Sequence, residues 1–210
     1  MWWHTQIALS FEPLRMIVAA VLGYLLGSIP FGLIFTRMAG LGDIRNIGSG
    51  NIGATNVLRT GNKALALATL LADGGKGALA ALIAGMLGGP VPSVIAGCAA
   101  FLGHLYPAWL GFKGGKGVAT YFGILIALGW PPGLLAGATW IVIAWAFRYS
   151  SLAALAAAVT APIDFLLLGP MWLAAPIGLC GALICWRHRA NIARLLNGSE
   201  PRLGAKAAKT

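Results

Sequence analysis

The 210-residue chain is 59% hydrophobic and 10% charged, with a mean hydropathy of +0.82. A soluble globular protein, which needs about a quarter of its residues charged to cover its surface, is excluded, and the composition is that of an all-α integral membrane protein. The net charge of +10 would suggest nucleic acid in a soluble chain; here the Lys and Arg fall in short clusters between apolar runs, as loops on one membrane face do, so membrane lipid rather than nucleic acid is the expected partner.

No Lys or Arg precedes the first apolar run within residues 1–10. The basic start of a cleaved signal peptide is missing, and the first helix is expected to be kept, with Trp2 and Trp3 as interfacial anchors. Apolar runs follow at 14–35, 64–87, 92–110, 118–130, 134–147, 152–168 and 171–186. They predict about seven transmembrane helices in a single domain covering 1–210, with no room for a soluble domain. The fourth and fifth runs are short for a hydrocarbon core of about 30 Å at about 1.5 Å per residue. Breaks at Gly88-Gly89-Pro90, Trp130-Pro131-Pro132-Gly133 and Gly169-Pro170 carry no charge and read as turns. Placing them outside leaves 14 of the 15 Lys and Arg, all but Arg15, on or near the opposite side. By the positive-inside rule that side is the cytoplasm. The N-terminus is then outside and the C-terminus cytoplasmic, which requires an odd number of spans.

The 30 glycines suit close helix contact in lipid. Gly74-Gly75-Lys76-Gly77 is echoed by Gly114-Gly115-Lys116-Gly117, but the flanks do not support a repeat. In the first segment Asp73 is expected to pair with a lysine inside the bundle, because an unpaired charge in lipid is costly. Cys98, Cys180 and Cys185 lie in apolar stretches without metal spacing and read as small buried hydrophobes. The three scattered His argue against a metal site, His104 is read as a hydrogen-bonded residue of the helix interior, and no cofactor is expected.

Polar chemistry is concentrated in four segments that this topology places on the cytoplasmic face. Segment 43–63 is dense in Gly, Asn, Ser and Thr. Its glycines let backbone N–H groups converge while Ser49, Asn51, Thr55 and Asn56 add donors, and Arg59 adds a fork for phosphate or carboxylate. The alternative is a solvated loop, and no Walker A pattern is present. Segment 111–120 leads a glycine-rich turn into an apolar helix, so backbone amides at a helix N-terminus and the Lys116 ammonium favour an anion, whereas Lys113 suits a membrane anchor. In segment 187–200, His188 and Asn191 share a helical face continued by Leu195, and the alternative is attachment to anionic headgroups through Arg187, Arg189 and Arg194. Arg202, Lys206 and Lys209 read as a solvated tail. Segment 148–151 adds Ser150 and Ser151, which would otherwise cap the next helix. Together the four are rich in anion binders and poor in carboxylates, and the natural guest is phosphorylated.

Three stretches carry a family resemblance. They are Ser49-Gly50-Asn51-Ile52-Gly53-Ala54-Thr55-Asn56 with Arg59; Gly103-His104 followed by Gly114-Gly115-Lys116-Gly117-Val118-Ala119-Thr120; and His188, Asn191, Ile192, Arg194, Leu195, Gly198 and Glu200 at their spacing. In order and without departure, these resemble the signature motifs of the bacterial acyl-phosphate-dependent glycerol-3-phosphate acyltransferases, over about 23–200. The resemblance implies a seven-helix inner-membrane enzyme, here expected as a monomer. It implies transfer of a fatty acyl group from acyl phosphate to the 1-hydroxyl of glycerol 3-phosphate, giving lysophosphatidic acid and phosphate in the first step of phospholipid synthesis. Ser49, Arg59, Lys116, His188 and Asn191 would form the catalytic site. Gly50, Asn51, Gly53, Ala54, Thr55 and Asn56 would cradle the acyl phosphate, with Gly114, Gly115, Gly117, Ser150 and Ser151 also binding substrate. The proton of the hydroxyl passes to His188 or to a substrate phosphate oxygen, and the residues leave both routes open. No His is followed five residues later by Asp, so the HxxxxD type of acyltransferase is excluded. A transporter or channel for a small phosphorylated anion is the rival reading. It expects polar residues deep in several helices, whereas these runs are nearly all apolar apart from Asp73, Lys76 and Asp164.

Overall fold

The computed structural model describes residues 12–204, which are helical apart from turns and loops. The expectations for Trp2, Trp3, Lys206 and Lys209 lie outside the described residues. The first apolar run is divided. Helix α1 spans Pro13–Gly27 and α2 spans Phe31–Met38, because Pro30 has no N–H to continue the ladder and disfavours the helical conformation in the residue before it. A 3₁₀ turn at Ile44–Asn46 and the short α3 at Ala54–Leu58 precede α4, Lys63–Gly88, whose first turn is capped by the Asn62 side chain accepting from the Leu65 amide at 2.9 Å. Beyond it come α5 (Pro90–Leu105), α6 (Val118–Leu128), α7 (Trp130–Phe147), α8 (Ser150–Leu168), α9 (Ala174–Arg187) and α10 (Arg189–Leu196).

Five apolar elements among the described residues are long enough to cross a bilayer, counting Pro13–Met38 as one, and two shorter apolar helices at Val118–Leu128 and Met171–Arg187 accompany them. The fifth run is longer than its sequence reading. Trp130-Pro131-Pro132-Gly133 is the first turn of α7 rather than a connector, since proline is well suited to the opening positions of a helix where its missing N–H has no partner to lose. The fourth stays short at 11 residues. Its N-terminal loop runs between helices, and irregular backbone at such depth is tolerated where protein covers it; Gly115 and Gly117 are both buried.

Helix α1 lies along α5, α4 lies between α5 and α6, and α8 joins α7 to α9. Several helix contacts are possible only for glycine, two of them at α1 and α6. A Cβ on Gly27 would collide with the Ala100 backbone of α5, and one on Gly123 with the Gly74 carbonyl of α4. The two Gly-Gly-Lys-Gly segments therefore differ in kind. Residues 74–77 are mid-helix, small because α6 passes there, while 114–117 form an irregular loop. Lys76 lies inside the bundle as the lysine that pairs with Asp73, its Nζ 2.7 Å from Asp73 Oδ1. The principal core gathers Phe101, Leu105, Tyr121, Leu125, Phe165 and Ile184. Cys98 and Cys180 are free thiols facing one another at 3.8 Å across α5 and α9.

Candidate active site

The first polar segment is folded around one side chain. Asn56, 2% exposed, donates from Nδ2 to the carbonyls of Ile44, Ile47 and Asn51 at 2.8 to 3.0 Å, and its Oδ1 accepts from the amide and hydroxyl of Ser49 at 3.0 and 3.2 Å. Its hydrogen-bonding capacity is spent within the loop, which makes it a shaping residue. Asn51 contributes one bond to the same loop, its Oδ1 accepting from the Gly53 amide at 3.0 Å where α3 begins. Gly48 and Gly50 take φ of +56 and +69, a conformation natural to glycine. They bring the Ser49 side of the loop to Arg59, whose Cδ and Nη1 would lie 2.8 and 3.1 Å from a Cβ on Gly48. Among the described residues the Arg59 guanidinium has no hydrogen-bond or ion-pair partner, and Thr55 is exposed. At the loop's far end the Arg45 side chain, with Arg37 beside it, holds the Asp43 carboxyl well below the usual carboxylate range against a small opposing effect of burial.

The second segment is held from two sides. The amides of Gly114 and Gly115 donate to the carbonyls of Leu105 and His104 at 3.1 and 3.0 Å, while the carbonyls of Gly114 and Gly115 accept from Arg187 at 3.0 and 3.2 Å. Arg187 also stacks over the Tyr106 ring at 5.4 Å. Beyond this clamp the amides of residues 116–120 donate to no group among the described residues, and they end in the N-terminus of α6. Successive free amides at a helix start form an anion seat.

Lys116 carries the charge of that seat. Its Nζ donates to Asn191 Oδ1 at 2.6 Å, joining the second segment to the third across 75 residues. Asn191 in turn donates to Glu200 Oε1 at 2.6 Å, and Arg194 Nε holds Glu200 Oε2 at 2.7 Å. Burial pushes the Lys116 ammonium down to about 8; Glu200 opposes this, while the positive charges of Arg194, Arg59 and Arg187 add to it. Burial raises the Glu200 carboxyl, but the hydrogen bonds it accepts outweigh this and leave it lowered overall.

His188 sits at the joint between α9 and α10, 3% exposed. Its Nδ1 is 2.8 Å from the Ile184 carbonyl, which can only accept, so Nδ1 carries the proton and Nε2 is a bare acceptor. Burial first, then the Lys116 charge, pushes its pKa down to about 4. His188 is thus neutral near neutral pH but a weak base, and an anion bound beside it would strengthen it. Ser150 opens α8 without capping it; Ser151 is buried next to the Glu200 carboxylate, and its Oγ has no hydrogen-bond partner among the described residues. The C-terminal segment folds back here, the Leu203 amide donating to the Arg148 carbonyl at 2.6 Å and Arg202 lying over Tyr149 at 5.9 Å while staying exposed.

Lys116, His188 and Asn191 are thereby brought together with Arg59 close enough to act on the lysine, whereas Asn56 is turned inward. Reading the sequence gave no working role to Arg187, Arg194 or Glu200. A signal existed for the last: it is one of 5 carboxylates in the chain and stands among basic residues.

A family model described as glycerol-3-phosphate acyltransferase matches residues 17–198. The glycerol-3-phosphate acyltransferase of Maricaulis maris is 58% identical over 194 residues, 92% of this chain and 90% of that one. The protein of the same description from Mesorhizobium japonicum is 60% identical over 191 residues, 91% of this chain and 97% of that one. Among solved structures, the crystal structure of PlsY (YgiH), an integral membrane glycerol 3-phosphate acyltransferase, superposes in its glycerol 3-phosphate form with a TM-score of 0.84 at 39% identity, covering 90% of this chain and 96% of that one. Its lysophosphatidic acid form gives 0.83 at 39%, covering 90% and 95%.

Proposed function

The chain belongs to the glycerol-3-phosphate acyltransferase family, and on that premise we propose that it moves a fatty acyl group from acyl phosphate to the 1-hydroxyl of glycerol 3-phosphate. The hydroxyl oxygen attacks the acyl carbonyl carbon, the bond from that carbon to the phosphate oxygen breaks, and the hydroxyl proton ends on the departing phosphate. A mixed anhydride is already activated, so the protein needs neither a covalent nucleophile nor a metal; it must hold two phosphates and aim one hydroxyl. The single observation that carries this reading is the joining of Lys116 to Asn191 beside the free amides of 116–120 and the bare Nε2 of His188. The amides with Lys116 and Arg59 take the phosphates, and His188 Nε2 or a substrate phosphate oxygen relays the proton. Arg187, Asn51 and Asn56 keep the two loops in shape.

All these groups come from one chain, so a monomer suffices. The apolar elements act as seven spans of an inner-membrane protein with the site on the cytoplasmic side and the N-terminus outside. The acyl chain enters between helices from the bilayer. Transport is disfavoured because the polar groups gather at one end of the helices, and among the described residues Asp73, Lys76 and Asp164 are the charged groups inside them.

The test is to supply purified protein in detergent with acyl phosphate and glycerol 3-phosphate and to measure lysophosphatidic acid and phosphate, expected in equal amounts. Product formation from an acyl thioester but not from acyl phosphate would overturn the donor assignment. Flux of glycerol 3-phosphate into sealed vesicles without acylation would overturn the enzyme reading in favour of transport.

A further inference from the structure

A charged network inside the bundle has no task in the acyl transfer just described. Asp73 and Lys76 of α4 are each 2% exposed and paired at 2.7 Å. Lys76 Nζ also donates at 2.8 Å to the carbonyl of Ile29, in the break between α1 and α2, and lies 5.6 Å from the centre of the Phe31 ring. Buried ion pairs are weak sources of stability in themselves, and charges within a membrane generally mark function. Small residues already let α4 approach α6 closely, so cohesion does not require the pair.

The third member of the network reaches the glycine loop. His104, 4% exposed at the end of α5, turns Nδ1 toward Asp73 Oδ1 at 3.6 Å. Its other edge fills the place where a side chain on Gly115 would stand, since a Cβ there would collide with Nε2. The Gly115 amide is bonded to the carbonyl of His104 itself, and its carbonyl is bonded to Arg187. The peptide before Lys116 is therefore gripped between the imidazole on one side and the guanidinium on the other. On the far side of the network, Lys76 pins the start of α2, and α2 lies against the first loop so closely that a Cβ on Gly32 would collide with the Ile52 carbonyl.

We propose that His104, set by the Asp73–Lys76 pair, is a positioning residue for substrate phosphate. By fixing the height and tilt of the Gly115 peptide it aims the amides of 116–120 and the root of the Lys116 side chain, while the same pair registers the first loop against the second through Ile29. The assignment rests on the acyltransferase reading above and extends its site into the membrane-embedded part of the bundle.

The experiment uses the full-length protein in detergent with His104→Ala, His104→Gln, Gly115→Ala and the His104→Ala/Gly115→Ala double variant. Variants of Asp73 or Lys76 alone are set aside because each strands a charge in lipid. KM and kcat are measured for both substrates, with thermal midpoints taken with and without glycerol 3-phosphate. His104→Ala is expected to raise KM for a phosphate substrate on the order of 10-fold or more with a smaller change in kcat, and to leave the ligand-free midpoint near that of the parent. His104→Gln, whose amide reaches the Nε2 position, recovers part of the loss. Gly115→Ala is nearly inactive, and the double variant exceeds it, because the new methyl occupies the space the ring has left. Parental KM values for both substrates in His104→Ala, a lowered midpoint without a KM change, or a double variant no better than Gly115→Ala would each overturn the proposal. Failure of the parent protein to make lysophosphatidic acid would count against the functional reading instead, and the effect of glycerol 3-phosphate on the midpoints would still decide whether His104 positions its phosphate.

Discussion

Replacing Asn191 by alanine tests the central claim that the C-terminal segment belongs to the site. In the structure this one side chain accepts from Lys116 at 2.6 Å and donates to Glu200 at 2.6 Å. Both bonds involve a charged group and are worth about 1.5 to 3 kcal/mol each. Glu200 keeps Arg194 at 2.7 Å in the variant, so the loss falls mainly on Lys116, which is left with no fixed partner. Failure to hold one charge-assisted bond in the transition state corresponds to roughly 10- to 10²-fold in rate, at about 1.4 kcal/mol per factor of ten. Asn191→Asp is expected to be worse, because a second carboxylate would face Glu200 where a donor now stands. Acyl transfer at saturating substrates, followed as phosphate release from acyl phosphate and paired with a thermal melt, measures both. If the segment only attached the protein to headgroups, the loss of a neutral side chain would leave turnover intact, since such attraction comes from the basic residues at about 1 kcal/mol each. Turnover of Asn191→Ala within about threefold of the parent, with an unchanged melt, would refute the reasoning.

Rate against pH should fall on the alkaline side through about 8, because the Lys116 ammonium is the form that holds phosphate and burial pushes its pKa down to that value; Lys116→Arg, which stays charged, should carry kcat/KM to higher pH from a lower maximum. Asn56→Ala removes five hydrogen bonds from the first loop and should cost roughly 2 to 4 kcal/mol of stability along with activity, read from paired melts and assays; a stable, active variant would contradict its shaping role. For topology, cysteine at exposed Met171 should react with an impermeant label added to intact cells and cysteine at exposed Lys113 should not, with the reverse pattern inverting the orientation. Treatment with EDTA should leave acyl transfer unchanged, as groups of metal-ligating side chains are absent among the described residues; loss restored by one added metal would overturn this.

The span pattern was legible because the bilayer acts on every residue of a helix at once, so apolar runs survive without knowledge of tertiary contacts. Punctuation was less legible. Proline marks a true break at Pro30 but the start of a helix at Pro131, and the difference lies in whether the preceding residues need the lost donor. Glycine is ambiguous in the same manner. At 74–77 the missing Cβ admits a neighbouring helix and at Gly117 it permits φ of +85, yet the letters are alike. Within the site, residue types announced anion binding but not the division of labour. Asn56 offers donors in sequence and spends them on its own loop, Asn51 engages its amide oxygen there and not its donors, and Arg187 looks like a headgroup binder until its bonds to Gly114 and Gly115 are seen. Glu200 could be assigned only through Asn191, because a carboxylate in an anion site has a purpose when it restrains the cations around it.

That restraint bears on where the rate comes from. Each phosphate brings about two negative charges near neutral pH, and the proposed acyl transfer leaves the number of phosphates in the site unchanged: acyl phosphate and glycerol 3-phosphate would become phosphate and lysophosphatidic acid. The cations of the site, whose repulsion adds to the burial that lowers the Lys116 pKa, are neutralised to a similar degree by substrates and products. Uniform binding of this kind sets KM without accelerating the chemical step. On the proposed reaction, the groups that distinguish the transition state are those directed at the reacting hydroxyl and carbonyl: the bare Nε2 of His188, and the Lys116 ammonium where charge gathers on the leaving oxygen. For these, direction matters more than charge. The third and second motifs are accordingly bound to each other through Asn191 and Arg187, rather than left as separate flexible loops over a basic surface.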